Sequence, residues 1–204
     1  MQQFKIINIL KKDLNFTDSS VEKLIKFVKL VLSENKRHNL IARSTEDHIW
    51  DRHVLDSAQL VKYIDFNSSS LADLGSGAGF PGLVLAIFNK NEAFHVKLYE
   101  KSPVKRRFLK GVIKELTLNA EVLGDVRNEV IDSEIIICRA FKKLDKIIQV
   151  SREIAKKPHK LMILKGQNAQ EEIKNSFKTK KYPYKLESSM TNKDSKIILM
   201  EINK

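Results

Sequence analysis

Gly75, Gly77, Gly79 and Gly82 fall within eight residues of one another, in the run Leu71-Ala72-Asp73-Leu74-Gly75-Ser76-Gly77-Ala78-Gly79-Phe80-Pro81-Gly82. Glycine reaches positive φ without strain and lets a ligand approach the backbone with no Cβ in the way. Where such a run leaves an apolar strand and opens a helix, the free N–H groups of the helix start face that ligand. Two spacings coexist here. Gly77-x-Gly79-x-x-Gly82 satisfies the dinucleotide fingerprint, and Asp73-x-Gly75-x-Gly77-x-Gly79 matches the first motif of S-adenosylmethionine-binding enzymes. A tight turn without a ligand needs fewer glycines than this.

Glu100 lies 18 residues beyond Gly82, at the end of the next apolar run. That is close to the spacing of roughly 20 at which an acid accepts ribose hydroxyls, and a carboxylate offers one oxygen to each of two vicinal hydroxyls. It would serve NAD or S-adenosylmethionine alike. Asp73 leans towards the methyl donor, because a carboxylate there can hold the donor's amino-acid moiety and would repel a pyrophosphate. The chain also lacks room for the separate catalytic domain that most dehydrogenases carry. An NAD-binding module, an RNA-binding assembly protein that keeps the fold without activity, and a methyltransferase of another substrate remain open on the residues alone.

These groups need a frame. Over roughly the first 66 residues the apolar spacing is helical, with Ser19 and Glu22 forming a capping box ahead of Val21, Leu24, Ile25, Val28, Val31 and Leu32. A second helix is expected from Ser44–Thr45 through Ile49, His53, Leu60, Val61 and Ile64. Residues 1–66 therefore read as a helical extension packed on a core formed by 67–204, whose texture changes at Ser69. Strands are expected at Leu71–Leu74, Phe94–Tyr99, Ala120–Leu123, Ile135–Cys138 and Leu161–Leu164. Helices are expected near Gly82–Phe88 and at Pro103–Leu116, Leu144–Ala155 and Ala169–Phe177. Alternation of this kind gives an α/β, mostly parallel sheet covered by helices. Tyr184–Met190 and Lys196–Ile202 read as a closing hairpin around the polar turn at 191–195. That is the layout of a class I, Rossmann-like methyltransferase with seven strands rather than of a dinucleotide fold, which continues in parallel.

Composition narrows the partners. Among 204 residues, 37 Lys and Arg against 25 Asp and Glu leave a net charge of +12. From Ser151 onward 13 basic and 6 acidic residues leave +7. A polyanion-binding surface and a merely Lys-rich solvated one are both compatible with that balance. Basic candidates for phosphate contact around the glycine loop are Lys36, Arg37, Arg52, Lys105, Arg106, Arg107 and Lys165. Cys138 is the single cysteine. It excludes an intramolecular disulfide and points to a reducing compartment, the cytoplasm. The first 15 residues lack a secretory pattern, and no apolar run approaches the roughly 18 residues that a membrane span needs. No His/Cys spacing suits a metal, and with no long amphipathic seam a monomer is expected. His53 and Asp56, three apart on one helix face, are expected to be a hydrogen-bonded pair fixing that helix.

Several separated motifs together resemble one family. They are Asn35-Lys36-x-x-Asn39-Leu40, Arg52-His53-x-Leu55-Asp56-Ser57, the glycine loop, Lys105-Arg106-x-Phe108-Leu109, Arg139-Ala140-Phe141 and Leu164-Lys165-Gly166, in that order. The chain is similar over nearly its whole length to the bacterial small-subunit rRNA guanine-N7 methyltransferases (RsmG, formerly glucose-inhibited division protein B). The resemblance implies transfer of a methyl group from S-adenosyl-L-methionine to N7 of a guanine in the decoding-region loop of 16S rRNA, free or within the small ribosomal subunit. By position it also implies S-adenosyl-L-methionine contacts at Gly75, Phe80, Val126, Arg127 and Arg139, with Val126 and Arg127 flanking the adenine and Arg139 lining the cofactor site at the end of the fourth strand. Where the family commonly has an Arg-Ala-Glu-like run, this chain has Gly124-Asp125-Val126-Arg127, so Asp125 becomes the acceptor for the adenine amino group. Guanine N7 bears a lone pair and no proton, so no general base is expected. Proximity and electrostatics carry such a reaction. Phe80 and Phe141 are the aromatic faces on which a flipped base could stack.

Overall fold

A computed structural model describes residues 2–68, 70–176 and 182–203. The texture change at Ser69 and the expected helix end at Phe177 lie outside the described residues. Seven strands form one sheet in the order β3-β2-β1-β4-β5-β7-β6. They are β1 (Ser70–Leu74), β2 (His95–Tyr99), β3 (Ala120–Leu123), β4 (Ile135–Arg139), β5 (His159–Lys165), β6 (Tyr184–Ser188) and β7 (Lys196–Ile202). The first five run parallel. β7 pairs antiparallel with both β5 and β6, so the tail is the expected hairpin, with its second strand inserted beside β5.

Chain order reverses between β1 and β4, and at such a switch point the crossover connections leave in opposite directions and open a crevice at the carboxyl ends. Register aligns those ends, with Leu74 level with Tyr99 on one side and with Cys138 on the other. Glu100 and Arg139 therefore emerge on either side of the glycine loop. β1 is buried along its full length, as expected for a central strand covered on both faces.

Helices α4 (Gly82–Phe88), α5 (Pro103–Leu116), α6 (Leu144–Ile154) and α7 (Ala169–Ser176) cover the sheet. Ser102 caps α5 and Pro103 sits in its first turn, where the missing N–H leaves no bond unmade. The N-terminal helices α1 (Gln2–Leu14) and α2 (Asp18–Asn35) share one hydrophobic cluster with β1, β2, α4 and α5, through Leu10, Leu24, Phe27 and Val31. Phe27 meets Phe80 of the glycine loop with ring centroids 5.0 Å apart.

Two local expectations are corrected. Thr17, and not Ser19, is the N-cap of α2; its side chain accepts from the Ser20 N–H. Ser20 is drawn inward instead, where its hydroxyl bonds the Ile87 carbonyl at 3.1 Å and ties α2 to α4. The second N-terminal helix is not one α-helix. It comprises a 3-10 turn at Arg43–Thr45, a π-helical stretch at Trp50–Leu55, one α turn, α3 (Asp56–Ala58), and a 3-10 turn at Gln59–Lys62. Apolar spacing cannot distinguish these windings, because each keeps Trp50, Val54, Leu55 and Leu60 on the buried side. π-helical turns are rare and are found frequently at functional sites. Among the described residues, no helix is long and apolar enough to cross a membrane.

Candidate active site

The glycine loop is shaped by what each position excludes. Gly82 has an ordinary φ, but a Cβ on it would lie 2.3 Å from Leu98 Cδ2 and 2.7 Å from Asp73 Oδ2. It is required for close packing, and its N–H donates to Asp73 Oδ2 at 3.0 Å. Gly77 is the opposite case. Its φ is +57°, and a Cβ there would meet only the Gly75 carbonyl at 3.8 Å, so the backbone faces open space.

Asp73 is fully buried at the end of β1, and its second oxygen, Oδ1, has no hydrogen-bond partner. Burial pushes its pKa up to about 7, against the opposing bond from the Gly82 N–H. Glu100 bridges two backbone donors, accepting from Gly77 N at 2.9 Å and from Ser102 N at 2.8 Å. It thus fixes the loop from the β2 side while keeping spare lone pairs. At the end of β3, Asp125 caps a 3-10 turn at Val126–Asn128 and grips Arg127 through both oxygens at 2.5–3.1 Å. The Arg127 hydrogen bonds and charge hold the Asp125 carboxyl down at about 2. Val126 is buried, and the Arg127 side chain lies on the surface.

On the other side of the loop opens a cleft of about 590 Å³, floored by Gly75, Ser76, Gly77 and Ala78. Arg139 dominates it. One terminal nitrogen donates to the Arg52 carbonyl at 2.9 Å and to Asp56 Oδ2 at 3.5 Å, and the other donates to His53 Nδ1 at 2.8 Å. The guanidinium carbon sits 5.5 Å from the centroid of the Phe80 ring. Because Arg only donates, His53 Nδ1 is an acceptor and the ring's proton is on Nε2. Nε2 bonds Thr45 Oγ1 at 2.8 Å, and Thr45 donates onward to the Ala42 carbonyl at 2.7 Å. Desolvation first, then the Arg139 and Arg52 charges, lowers the His53 pKa to about 3, so this ring stays neutral. The expected His53–Asp56 pair is therefore corrected. The two do not bond each other, and both hold Arg139.

Asp56 also reaches the C-terminal hairpin loop, accepting from Thr191 Oγ1 at 3.3 Å and Ser189 Oγ at 3.5 Å. Gln59 accepts from Met190 N at 2.7 Å beside it. Asn35, at the end of α2, pins the cleft's other edge. Its Oδ1 accepts from Leu40 N at 2.7 Å and Ile41 N at 3.0 Å, and its Nδ2 donates to Glu46 Oε1 at 2.6 Å.

Of the residues expected from sequence, Gly75, Gly77, Phe80, Arg52, Lys105, Arg139 and Lys165 line this cleft. Glu100, Asp125, Val126 and Arg127 stand across the loop, at the ends of β2 and β3. Phe80 is buried between Phe27, His53 and Arg139, which makes its ring part of the wall. Phe141 packs against Gly75. Among the basic residues, Lys36, Arg37, Arg52 and Arg107 are exposed. Arg106 folds back on the Glu100 and Lys101 carbonyls at 3.0 and 2.7 Å. Lys165 is largely buried and bonds the Lys142 carbonyl at 2.9 Å and Glu172 at 2.7 Å. Thr45, Glu172, Thr191 and Asn192 also line the cleft, and no sequence pattern marked them.

Comparison with known proteins decides the family. Residues 20–198 match the family described as rRNA small subunit methyltransferase G (GidB). The chain belongs to this family. A relative of that name from Pelagibacter ubique is 32% identical over 201 residues, covering 96% of this chain and 93% of its own. One from Rickettsia felis is 38% identical over 179 residues, covering 87% and 91%. The fold is shared with a SAM-dependent methyltransferase from Aquifex aeolicus (TM-score 0.54, 14% identity, 72% of this chain and 89% of that one). It is shared too with a predicted O-methyltransferase from Agrobacterium tumefaciens (TM-score 0.57, 18% identity, 73% and 80%). Family membership carries S-adenosyl-L-methionine-dependent methylation of ribosomal RNA as the activity.

Proposed function

We propose that the chain methylates N7 of a guanine in the decoding-region loop of 16S rRNA, presented by the small ribosomal subunit or its RNA. The observation that carries this reading is the state of the cleft's titratable groups. His53 is neutral, and both its nitrogens are engaged by Arg139 and Thr45. Asp56 is shared among Arg139, Gln59 and the hairpin loop. Glu172 is taken by Lys165 and the Leu144 N–H. A cleft whose acids and imidazole are already spent suits a nucleophile that has no proton to give up, and guanine N7 is one.

The residues present fit the methyl donor. Gly77 leaves a backbone cradle that a Cβ would fill, Glu100 stands beside it at the end of β2 with lone pairs to spare for hydroxyls, and Asp73 keeps an orphaned carboxylate oxygen at the end of β1. S-adenosyl-L-methionine supplies an electrophilic methyl group on a sulfonium. Around it, Gly77 gives the backbone clearance, Gly75 and Gly79 hold the loop's positive-φ turns against Phe141 and Leu83, and Glu100 accepts the ribose hydroxyls. Asp73 faces the amino-acid end, and Asp125 with Val126 borders the adenine once Arg127 releases the carboxylate. Phe80 and Arg139 wall the side where the base enters. Exposed Lys36, Arg37, Arg52 and Arg107 contact phosphates, which orients the RNA without reading sequence.

The test is transfer of labelled methyl to unmethylated small subunits, followed by cleavage selective for N7-methylguanine. One cleavage site in the decoding-region loop, lost when Gly77 is replaced by a bulky residue, is the expected result. Label at another position or atom of the RNA would overturn the assignment of site and atom while leaving the family intact.

A further inference from the structure

Arg139 has more donors than the protein uses. A guanidinium carries five N–H groups. Three are spent, on the Arg52 carbonyl, Asp56 and His53. Nε–H and one terminal N–H have no partner among the described residues, and the side chain keeps 18% of its surface open where it lines the cleft. Two free donors on a rigid, planar group in a site of this polarity call for an acceptor from the substrate, because an unmet donor there forfeits a hydrogen bond.

The group is also held to an unusual degree. The π-helical stretch turns the Arg52 carbonyl towards it, and Asp56 belongs to the α turn that follows. The His53 acceptor is itself fixed by the Thr45 and Ala42 relay. Phe80 lies against the guanidinium face. Asp56 offsets the charge, so a base that becomes cationic nearby does not meet an uncompensated cation.

We propose that Arg139 is a specificity-determining residue that donates to O6 of the target purine, selecting guanine over adenine, with His53 as its positioning residue. The inference rests on the guanine-N7 reading above. Among purines, guanine carries an acceptor at position 6, and adenine carries an amino donor there. A guanidinium accepts nothing, so adenine would face it donor to donor. The N7 lone pair stays free for the methyl group.

The experiment varies the RNA first, which leaves the protein untouched. Small subunits are reconstituted with guanine, hypoxanthine, 2-aminopurine or adenine at the target nucleotide, and N7 methylation is normalised to each base's reactivity with dimethyl sulfate. Hypoxanthine, which keeps O6 and lacks the 2-amino group, should react within a few-fold of guanine. 2-Aminopurine, which lacks O6, should fall by about 10- to 100-fold. Equal rates for guanine and 2-aminopurine would overturn the role of Arg139 while leaving the guanine-N7 reading intact; no N7 product on guanine itself would instead remove that reading. In the protein, Arg139→Met combined with Asp56→Asn, which leaves no bare buried carboxylate, should erase the difference between guanine and 2-aminopurine. Donor affinity, measured by calorimetry, should stay within a few-fold. His53→Asn, whose Oδ1 can replace Nδ1 as acceptor, should keep the discrimination. His53→Leu should lose it through kcat/KM at unchanged donor affinity. Discrimination retained in both the double variant and His53→Leu would refute the proposal, as would loss of donor binding in the double variant, which would reassign Arg139 to the cofactor.

Discussion

Asp73→Asn isolates the cost of a charge at the end of β1. In the folded chain the Asp73 carboxyl is buried, one oxygen has a single backbone donor and the other has none, and its pKa is raised from 3.8 to about 7. Between those values the native chain holds a proton that the unfolded chain has lost. The native state thus binds more protons there, and stability falls as pH rises through the window. At ~1.4 kcal/mol per unit of difference, the loss is about 2 kcal/mol by pH 5 and about 4 kcal/mol by pH 7.5. Asparagine keeps the shape and the acceptor for Gly82 but does not titrate. Whatever its fixed cost, its stability relative to the native protein should improve by about 2 kcal/mol between pH 5 and 7.5. Urea unfolding of both proteins without donor, at half-unit pH steps, measures this directly. A difference that stays flat over the window would refute the reasoning and mean that Asp73 ionises freely in the folded chain.

Replacing two glycines by alanine should separate packing from ligand clearance. Gly82→Ala should lower stability by about 1–3 kcal/mol through overpacking against Leu98 and Asp73, read as a drop in thermal midpoint. Gly77→Ala meets no side chain and should cost only about 1–2 kcal/mol for its positive φ, yet weaken donor binding in calorimetry; unaltered affinity would argue against the cradle. The salt dependence of RNA binding should distinguish exposed from internal cations. Arg107→Ala is expected to reduce the slope of log K against log salt by about one. Lys165→Met should leave the slope unchanged and lower stability, because Lys165 is bonded to Glu172 and the Lys142 carbonyl. Thr17→Ala removes the α2 cap and should cost about 1 kcal/mol in a urea titration, whereas Ser19→Ala should be nearly silent.

The features legible in sequence are those in which neighbouring residues act on one another. Pro103 after a cap begins α5 where expected, and β-branched Ile135–Ile137 form a buried central strand. The four glycines mark the loop because each restricts its own backbone or its nearest contact. The cap of α2 is ambiguous in sequence because Thr17 and Ser19 are both competent N-cap residues two positions apart, and it is Thr17 whose side chain accepts from the Ser20 N–H. The winding of 50–62 was equally hidden, because apolar spacing records which side is buried and not which carbonyl each N–H finds.

By itself the sequence determined the α/β alternation, the glycine loop with Asp73 and Glu100, and the surplus of positive charge, since all three follow from residue type and short-range spacing. Only the tertiary structure decided what Arg139 touches. Its partners, at Arg52, His53 and Asp56, lie 83 to 87 residues away. Asp56 in turn meets Ser189 and Thr191 at the far end of the chain. Burial also decided which basic residues remain free, turning Lys165 inward and leaving Arg107 in solvent. Such pairings depend on which strand lands beside which, and that is settled by packing the whole sheet, where no local pattern of residues can record it.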